Sequence, residues 1–182
     1  MHAESPSLSN LLSNSTRRPG DGWRSAFKSM SSTVVSFIPI DHSWRVPDDA
    51  ALNVERYLTE HYAGSTEIQI NRSHIRPFFI DAGQNHEDIR CPECGGSIAV
   101  EKWQDVMEQC WQENDRGFDL SAASVRCCNR EFTPDRLVYI PDQGFAMASF
   151  EITDPTRVDH SEVAAHLDSI LKIPVRTIVA RY

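Results

Sequence analysis

Four of the five cysteines fall into two close pairs, and this pattern constrains the fold more than any other feature of the sequence. Cys91 and Cys94 are separated by two residues and followed by two glycines, and Cys127 and Cys128 come roughly thirty residues later. Two thiols at the first spacing can reach one metal ion, and a second pair can complete a tetrahedral shell. The sequence therefore predicts one zinc ion bound by these four cysteines.

The ligand set and the metal have alternatives. Adjacent side chains tend to point apart. In one alternative, only one of Cys127 and Cys128 is a ligand, and Cys110 or His86 supplies the fourth. In the other, the cysteines bind no metal. Iron can replace zinc in a four-thiolate site. Cys110 falls on the apolar face of a predicted helix, where a free cysteine usually behaves as a small core residue. Four protein thiolates leave no position for a substrate, so the predicted role of zinc is structural.

Charge and cysteine number restrict the compartment and the partners. An odd number of cysteines fits metal binding in a reducing compartment, and the chain shows neither a secretory signal nor a long apolar run, so we expect a cytoplasmic protein without a membrane partner. The net charge is -8, and residues 1–29 carry four basic and two acidic residues, so residues 30–182 carry -10. This acidity favours a basic protein partner and disfavours nucleic acid, for which only Arg126, Arg130 and Arg136 provide a local basic stripe.

The N-terminal residues differ in composition from the rest of the chain. Residues 1–31 are rich in Ser, Asn, Pro, Gly and Arg, and such a segment cannot bury enough apolar surface to offset the loss of conformational entropy. We expect a disordered or dispensable tail, with Met30 as an alternative start of the protein. Residues 32–182 are predicted to form a single domain that carries a zinc-binding insert at about 88–131.

Apolar periodicity predicts an α+β fold with a mainly antiparallel sheet, helices on one face and an inserted zinc-ribbon-like element. Helices are predicted over residues 48–63, 98–112 and 159–173, with a single helical turn at 133–135. Strands are predicted over residues 33–40, 67–71, 75–80, 118–125, 144–152 and 175–179. The strand at 118–125 is expected to bring the second cysteine pair to the first.

No catalytic residue is assigned from the sequence, because it contains none of the common phosphate-binding, nucleophile or metalloprotease motifs. Our leading hypothesis is a non-catalytic protein-interaction module that neutralises a toxin or acts as an adaptor. One alternative is an enzyme that uses polar residues at strand ends and before the first cysteine pair, namely Asp41, His42, Asp81 and His86. The other alternative is a zinc-ribbon protein associated with nucleic acid.

Several segments together resemble a scattered group of small bacterial proteins that carry a CPxCG motif and a later CC pair. The matching segments are Phe37-Ile38-Pro39 with Asp41, Phe78 to Gly83, Cys91 to Gly95, Cys127-Cys128, Gly144 to Ala146 and Phe150 to Ile152. The resemblance implies a zinc-binding α+β domain with Cys91, Cys94, Cys127 and Cys128 as ligands, and it implies no activity. Asn129 stands where we expect glycine after the paired cysteines.

Overall fold

The structure, a computed structural model, describes residues 32–65, 67–155 and 159–182. The predicted tail, residues 1–31, lies outside these ranges. Within them the helices are α1 (Asp48–His61), α2 (Val100–Cys110) and α3 (His160–Leu171), with a short 3-10 turn at Pro134–Arg136. The strands are β1 (Thr33–Pro39), β2 (Glu67–Arg72), β3 (Phe78–Ile80), β4 (Asp88–Arg90), β5 (Trp111–Gln112), β6 (Gly117–Phe118), β7 (Val125–Cys127), β8 (Arg130–Phe132), β9 (Val138–Ile140), β10 (Gly144–Ala146), β11 (Ala148–Thr153) and β12 (Val175–Arg181). The predicted α+β class is confirmed.

The largest sheet has the strand order β12-β1-β11-β2, and every neighbouring pair is antiparallel. Because β1 and β2 are both antiparallel to β11, they run parallel to each other, and α1 makes the crossover between them. In the same way α3 connects β11 to β12 with β1 lying between them. This arrangement is the split βαβ topology, in which each crossover skips one strand.

Both crossover helices pack on one face of this sheet. The apolar stripe of α1 buries Val54 and Leu58 against Phe37 of β1, and α3 adds Val163 and Leu167 to the same cluster. Local signals in the sequence determine where the helices begin, because Asp48 and Asp49 occupy the first turn of α1, and Asp159 accepts hydrogen bonds from the backbone N–H groups of Ser161 and Glu162 in α3. These helices are therefore predictable from the chain alone.

The opposite face of the sheet is covered by the connection between β2 and β11, residues 73–147, which we call the insert. Ile38 and Ile178 of the sheet pack against Ile80 and Ala146 of the insert. The insert has its own apolar cluster around α2, which we call the insert core. Its buried members are Phe79, Ile89, Cys91, Ile98, Trp103, Val106, Met107, Cys110, Phe118, Val125, Leu137, Tyr139 and Phe145. The helix α2 thus belongs to the insert core and not to the helix layer on the sheet.

Three predicted strands are wrong in extent. The predicted strand 75–80 is a strand only over Phe78–Ile80, because the chain bends at residues 74–76. The predicted strand 118–125 ends at Phe118, because Asp119 accepts hydrogen bonds from the backbone N–H and the hydroxyl of Ser121 and so forms a turn. The predicted strand 144–152 is two strands, since β10 pairs with β3 whereas β11 pairs with β1 and β2. Met147 lies between them and accepts a hydrogen bond from the backbone N–H of Ser73 at 2.8 Å. An apolar run cannot show that its halves belong to different sheets.

The insert also covers the outer edge of β12. The backbone N–H of Gln84 donates to the carbonyl of Arg181 at 2.8 Å, and the side-chain amide of Asn85 donates to the carbonyl of Val179 at 2.9 Å. Gly83 forms a parallel bridge with Arg181 in left-handed backbone conformation, with a φ of +59°. A Cβ atom on Gly83 would lie 2.2 Å from the carbonyl oxygen of Arg181. Glycine is therefore required for this close approach of two backbones.

Replacing Gly83 with alanine is expected to lower the free energy of unfolding by about 2–4 kcal/mol, because the added methyl group meets backbone and the left-handed conformation is strained for alanine. Gly95→Ala is the matched control: Gly95 also has a positive φ, of +70°, but a methyl group added there would have open space, with no atom beyond its chain neighbours within 4 Å. The control should lose only about 1 kcal/mol. Chemical denaturation of both variants measures the difference, and equal losses would contradict the steric explanation.

Candidate metal centre

The first cysteine pair lies in a tight turn directly after β4. The backbone N–H of Gly95 donates to the carbonyl of Cys91 at 3.0 Å, and the N–H of Cys91 donates to the carbonyl of Gly96 at 2.9 Å. Gly95 adopts a φ of +70°, which a glycine reaches without a steric penalty. These bonds fold the chain back on itself, so that the sulfur atoms of Cys91 and Cys94 lie on the same side of the turn.

The second cysteine pair lies in a two-residue hairpin between β7 and β8. Cys127 pairs with Arg130 at the end of the ladder, and the two loop residues, Cys128 and Asn129, have φ values of +43° and +62°. Two positive φ values in a two-residue hairpin loop define a type I′ turn, a conformation that asparagine tolerates well. The turn rotates Cys128 relative to Cys127, so that adjacent cysteines can approach the same point.

The four sulfur atoms form one compact cluster. The Sγ atoms of Cys91 and Cys128 are 3.7 Å apart, as are those of Cys94 and Cys127, and all four lie within 4.8 Å of one another. An ion bonded to four sulfurs at about 2.3 Å would hold them about 3.8 Å apart in a tetrahedron. The spacing fits a four-coordinate metal, so this cluster can hold a metal ion.

The thiols differ in environment and in acidity. Cys91 is buried in the insert core, whereas Cys94 and Cys128 are exposed at the surface. Desolvation opposes ionisation of Cys91, but hydrogen bonds from the backbone N–H groups of Cys94 and Glu93 outweigh it and lower its pKa to about 7. Loss of water around the sulfur, together with the hydrogen bond to Cys91, raises the pKa of Cys128 to about 12. The hydrogen bond to Cys94 raises the pKa of Cys127. A bound cation would relieve the repulsion among four thiolates.

Two polar contacts connect the elements that carry the cysteines. The guanidinium of Arg130 in β8 forms an ion pair with Glu93 of the first turn, and the ammonium group of Lys102 in α2 donates to the backbone carbonyl of Arg126 in β7. Both contacts are at the surface, where such pairs contribute about 1 kcal/mol or less. Sequence reasoning did not identify them, since isolated charges on a predicted helix or turn give no signal of their partners.

The two alternative ligands, Cys110 and His86, lie outside the four-sulfur cluster. Cys110 is fully buried in the insert core on the inner face of α2, and burial raises the pKa of its thiol. His86 shares a hydrogen bond of 2.7 Å with the side chain of Gln143 and stacks on Trp103. Both positions fit a packing role.

Asp41 and His42, two of the four polar residues of the alternative site, have separate local partners. The carboxylate of Asp41 accepts hydrogen bonds from the hydroxyl and from the backbone N–H of Ser43. Both bonds lower the pKa of Asp41, and the bond from the hydroxyl has the larger effect. The ring of His42 lies 3.9 Å from the carboxylate of Asp135, at the limit of an ion pair. Asp41 thus forms a turn after β1.

Asp81 and His86 are likewise engaged in different contacts. Asp81 accepts hydrogen bonds from the backbone N–H of Gly83 at 2.6 Å and from the hydroxyl of Tyr182 at 3.2 Å. In the part of the chain that the structure describes, no hydrogen bond joins any two of the four residues of the alternative site. The basic stripe is also incomplete, because Arg130 is paired with Glu93.

Comparisons with protein-family models, with curated proteins and with solved structures give no match for this chain. The resemblance to small bacterial proteins with CPxCG and CC motifs therefore stays a prediction. Among the described residues, no helix combines the length and apolar composition that crossing a bilayer requires. Among the described residues, the four-sulfur cluster is the clearest indication of function.

The conformation of Asn129 generates a prediction about the second turn. Asn129→Gly should keep the free energy of unfolding within about 0.5 kcal/mol, because glycine suits a type I′ turn at least as well. Asn129→Val should lower it by about 1–2 kcal/mol, because a β-branched side chain is strained at positive φ. Thermal unfolding of both variants, with metal content measured on the same samples, checks this. A valine variant as stable as the wild type would exclude the turn described here.

Proposed function

We propose that this protein is a non-catalytic, cytoplasmic protein-interaction module, in which Cys91, Cys94, Cys127 and Cys128 bind one structural zinc ion. The observation that carries the metal proposal is the clustering of four sulfurs at the separations of a tetrahedral thiolate site. Zinc and iron both suit four thiolates, and zinc is the proposed metal because it has no redox chemistry for which a role would be needed.

A structural role follows from the way the ligands are distributed. Two ligands come from the turn after β4 and two from the β7–β8 hairpin. Each of these elements has one residue buried in the insert core, namely Cys91 and Val125. Four thiolates would fill the coordination shell, so no position remains for a substrate. The metal would join two turns that are otherwise connected at the surface by weak contacts. In this sense the insert is a ribbon-like zinc element within the α+β domain.

The proposal of a protein partner rests on charge. Residues 30–182 carry a net charge of -10, as the sequence shows, while Glu101 and Asp105 are exposed on α2. An acidic surface attracts a basic partner and increases the rate of encounter at low salt. Neutralisation of a basic toxin, or an adaptor role between proteins, would use such a surface.

Metal analysis provides the first test. We expect one zinc per chain in protein purified without tags, and we expect a chelator to lower the free energy of unfolding by about 3 kcal/mol or more, since metal binding and folding of the insert are coupled. Cys94→Ser should reduce the zinc content, because it removes a ligand. Cys110→Ala is the matched control and should keep one zinc per chain. A total metal content of zero, or a metal content unchanged in Cys94→Ser, would refute the four-cysteine site, and iron in place of zinc would refute the choice of metal.

Affinity capture from an extract of the native host tests the interaction module. The full-length protein should retain one protein in stoichiometric amount, and the amount should fall as the salt concentration rises, because screening weakens attraction between charged surfaces. Chelator-treated protein is the control, because its binding shows whether the interaction surface depends on zinc. Retention of no specific protein at any salt concentration would contradict the proposed module.

A further inference from the structure

Arg176 is a partly buried arginine whose side chain has no partner among the residues that the structure describes. Arg72, Arg76, Arg90 and Arg130 each form an ion pair with a carboxylate, at 2.7 Å for Arg76 and for Arg90. For Arg176, the contacts among residues 32–65, 67–155 and 159–182 include neither a side-chain hydrogen bond nor an ion pair, and its Nε atom is buried without an acceptor. A partly buried cation without a counter-charge is unfavourable, so this position requires an explanation.

The side chain of Arg176 lies between the sheet and the insert. Arg176 is paired with Ile38 of β1, and Ile38 packs toward the insert, so Arg176 points away from α1 and α3. Its guanidinium rests on the backbone of Gly144, since a Cβ atom there would be 1.8 Å from Nη2. The absence of a side chain at position 144 therefore makes room for the guanidinium.

The charges that face Arg176 are few. Burial lowers the pKa of Arg176, while the carboxylate of Asp142 and the hydroxyl of Tyr139 are close enough to act in the opposite direction. Asp142 is exposed and acts on Arg176 through its charge alone, since no ion pair among the described residues joins the two. The Tyr139 hydroxyl is already engaged, because it accepts from Trp103 and donates to the carbonyl of Pro134. Neither group neutralises the guanidinium.

The accessible side of the guanidinium indicates how a ligand would approach. Nε is the buried atom of Arg176 without a partner, and the residue as a whole is only partly buried, so part of its side chain remains in contact with solvent. Two N–H groups on one side of a planar guanidinium match the two oxygens of a carboxylate or a phosphate group. The geometry thus suits an anion that arrives from solvent.

We propose that Arg176 is the anchor of a binding site for a small-molecule oxyanion, a carboxylate or a phosphate group, at the junction of β12 with residues 139–144 of the insert. The ligand would supply a counter-charge that no described residue provides at ion-pair distance. Gly144 would keep the guanidinium in place by allowing close contact with the backbone. This proposal is independent of the zinc proposal, because it uses none of the four cysteines.

Thermal unfolding of the full chain, as purified, tests the proposal with inorganic phosphate and with acetate as probes, each against sodium chloride at equal ionic strength. At about ten times its dissociation constant, the bound probe should raise the unfolding midpoint of the wild type by about 3 °C or more. Arg176→Met should abolish this rise, and in chloride it should unfold at a higher temperature than the wild type, because it removes an unpaired buried charge. Arg181→Met, an exposed position on the same strand, is the matched control and should keep the rise.

Other outcomes would overturn the proposal. An equal rise in the wild type and in Arg176→Met would mean a general effect of the salt on stability. A lower midpoint for Asp142→Asn in chloride, with no response of the wild type to either probe, would mean that Asp142 neutralises Arg176 in solution. If Asp142 instead repels the ligand, Asp142→Asn should bind phosphate several-fold more tightly. A response to acetate alone or to phosphate alone identifies which oxyanion the site accepts.

A second measurement covers the case in which Arg176→Met does not fold. In a ¹⁵N NMR spectrum of the wild type, the buried Nε–H of Arg176 should exchange slowly with water and give a resolved signal. Addition of phosphate should shift this signal in a saturable manner while the Nε–H signals of the paired arginines, such as Arg76, stay unchanged. A signal of Arg176 that does not move with phosphate or acetate would refute the site.

Discussion

The close approach of four sulfur atoms is the constraint that joins two separate turns of the insert. Thiols at 3.7 Å with raised pKa values at Cys127 and Cys128 cannot all ionise without a compensating charge, whereas a bound cation would turn their repulsion into attraction. The same cysteines hold two turns against the insert core, through Cys91 in particular. The insert in turn covers one face of the sheet. The sulfur cluster is therefore linked to the insert core through Cys91, and the insert is linked to the sheet through Ile80 and Ala146.

Both faces and one edge of the four-stranded sheet are covered by other parts of the chain. The helices α1 and α3 bury one face, Ile80 and Ala146 of the insert bury the other, and residues 82–85 follow the outer edge of β12. An open edge exposes unpaired backbone groups that can pair with other chains, so covering the edge also hinders aggregation. Gly83 permits this coverage because its backbone can lie directly against the carbonyl of Arg181. The insert thus covers one face and one edge of the same sheet.

The two proposed binding properties use different parts of the insert and different chemistry. The cysteine cluster brings together two cysteine pairs that are already visible in the sequence. Arg176, in contrast, acquires its environment because the insert folds back over β12 and brings Gly144 against the guanidinium. Its charge is isolated by tertiary packing, and no residue next to it in the sequence signals this. A functional interpretation based on motifs would therefore find the metal site and overlook the arginine.

The sequence by itself determined what depends on near neighbours along the chain. It predicted α1 and α3, with their acidic starts and apolar stripes, the α+β class and the four cysteines as one group, because periodicity, capping and short spacings are local properties. Only the tertiary structure decided that residues 144–152 divide between two sheets and that, among the described residues, the buried Nε atom of Arg176 has no acceptor. These features depend on contacts between residues far apart in the chain, which no local pattern encodes.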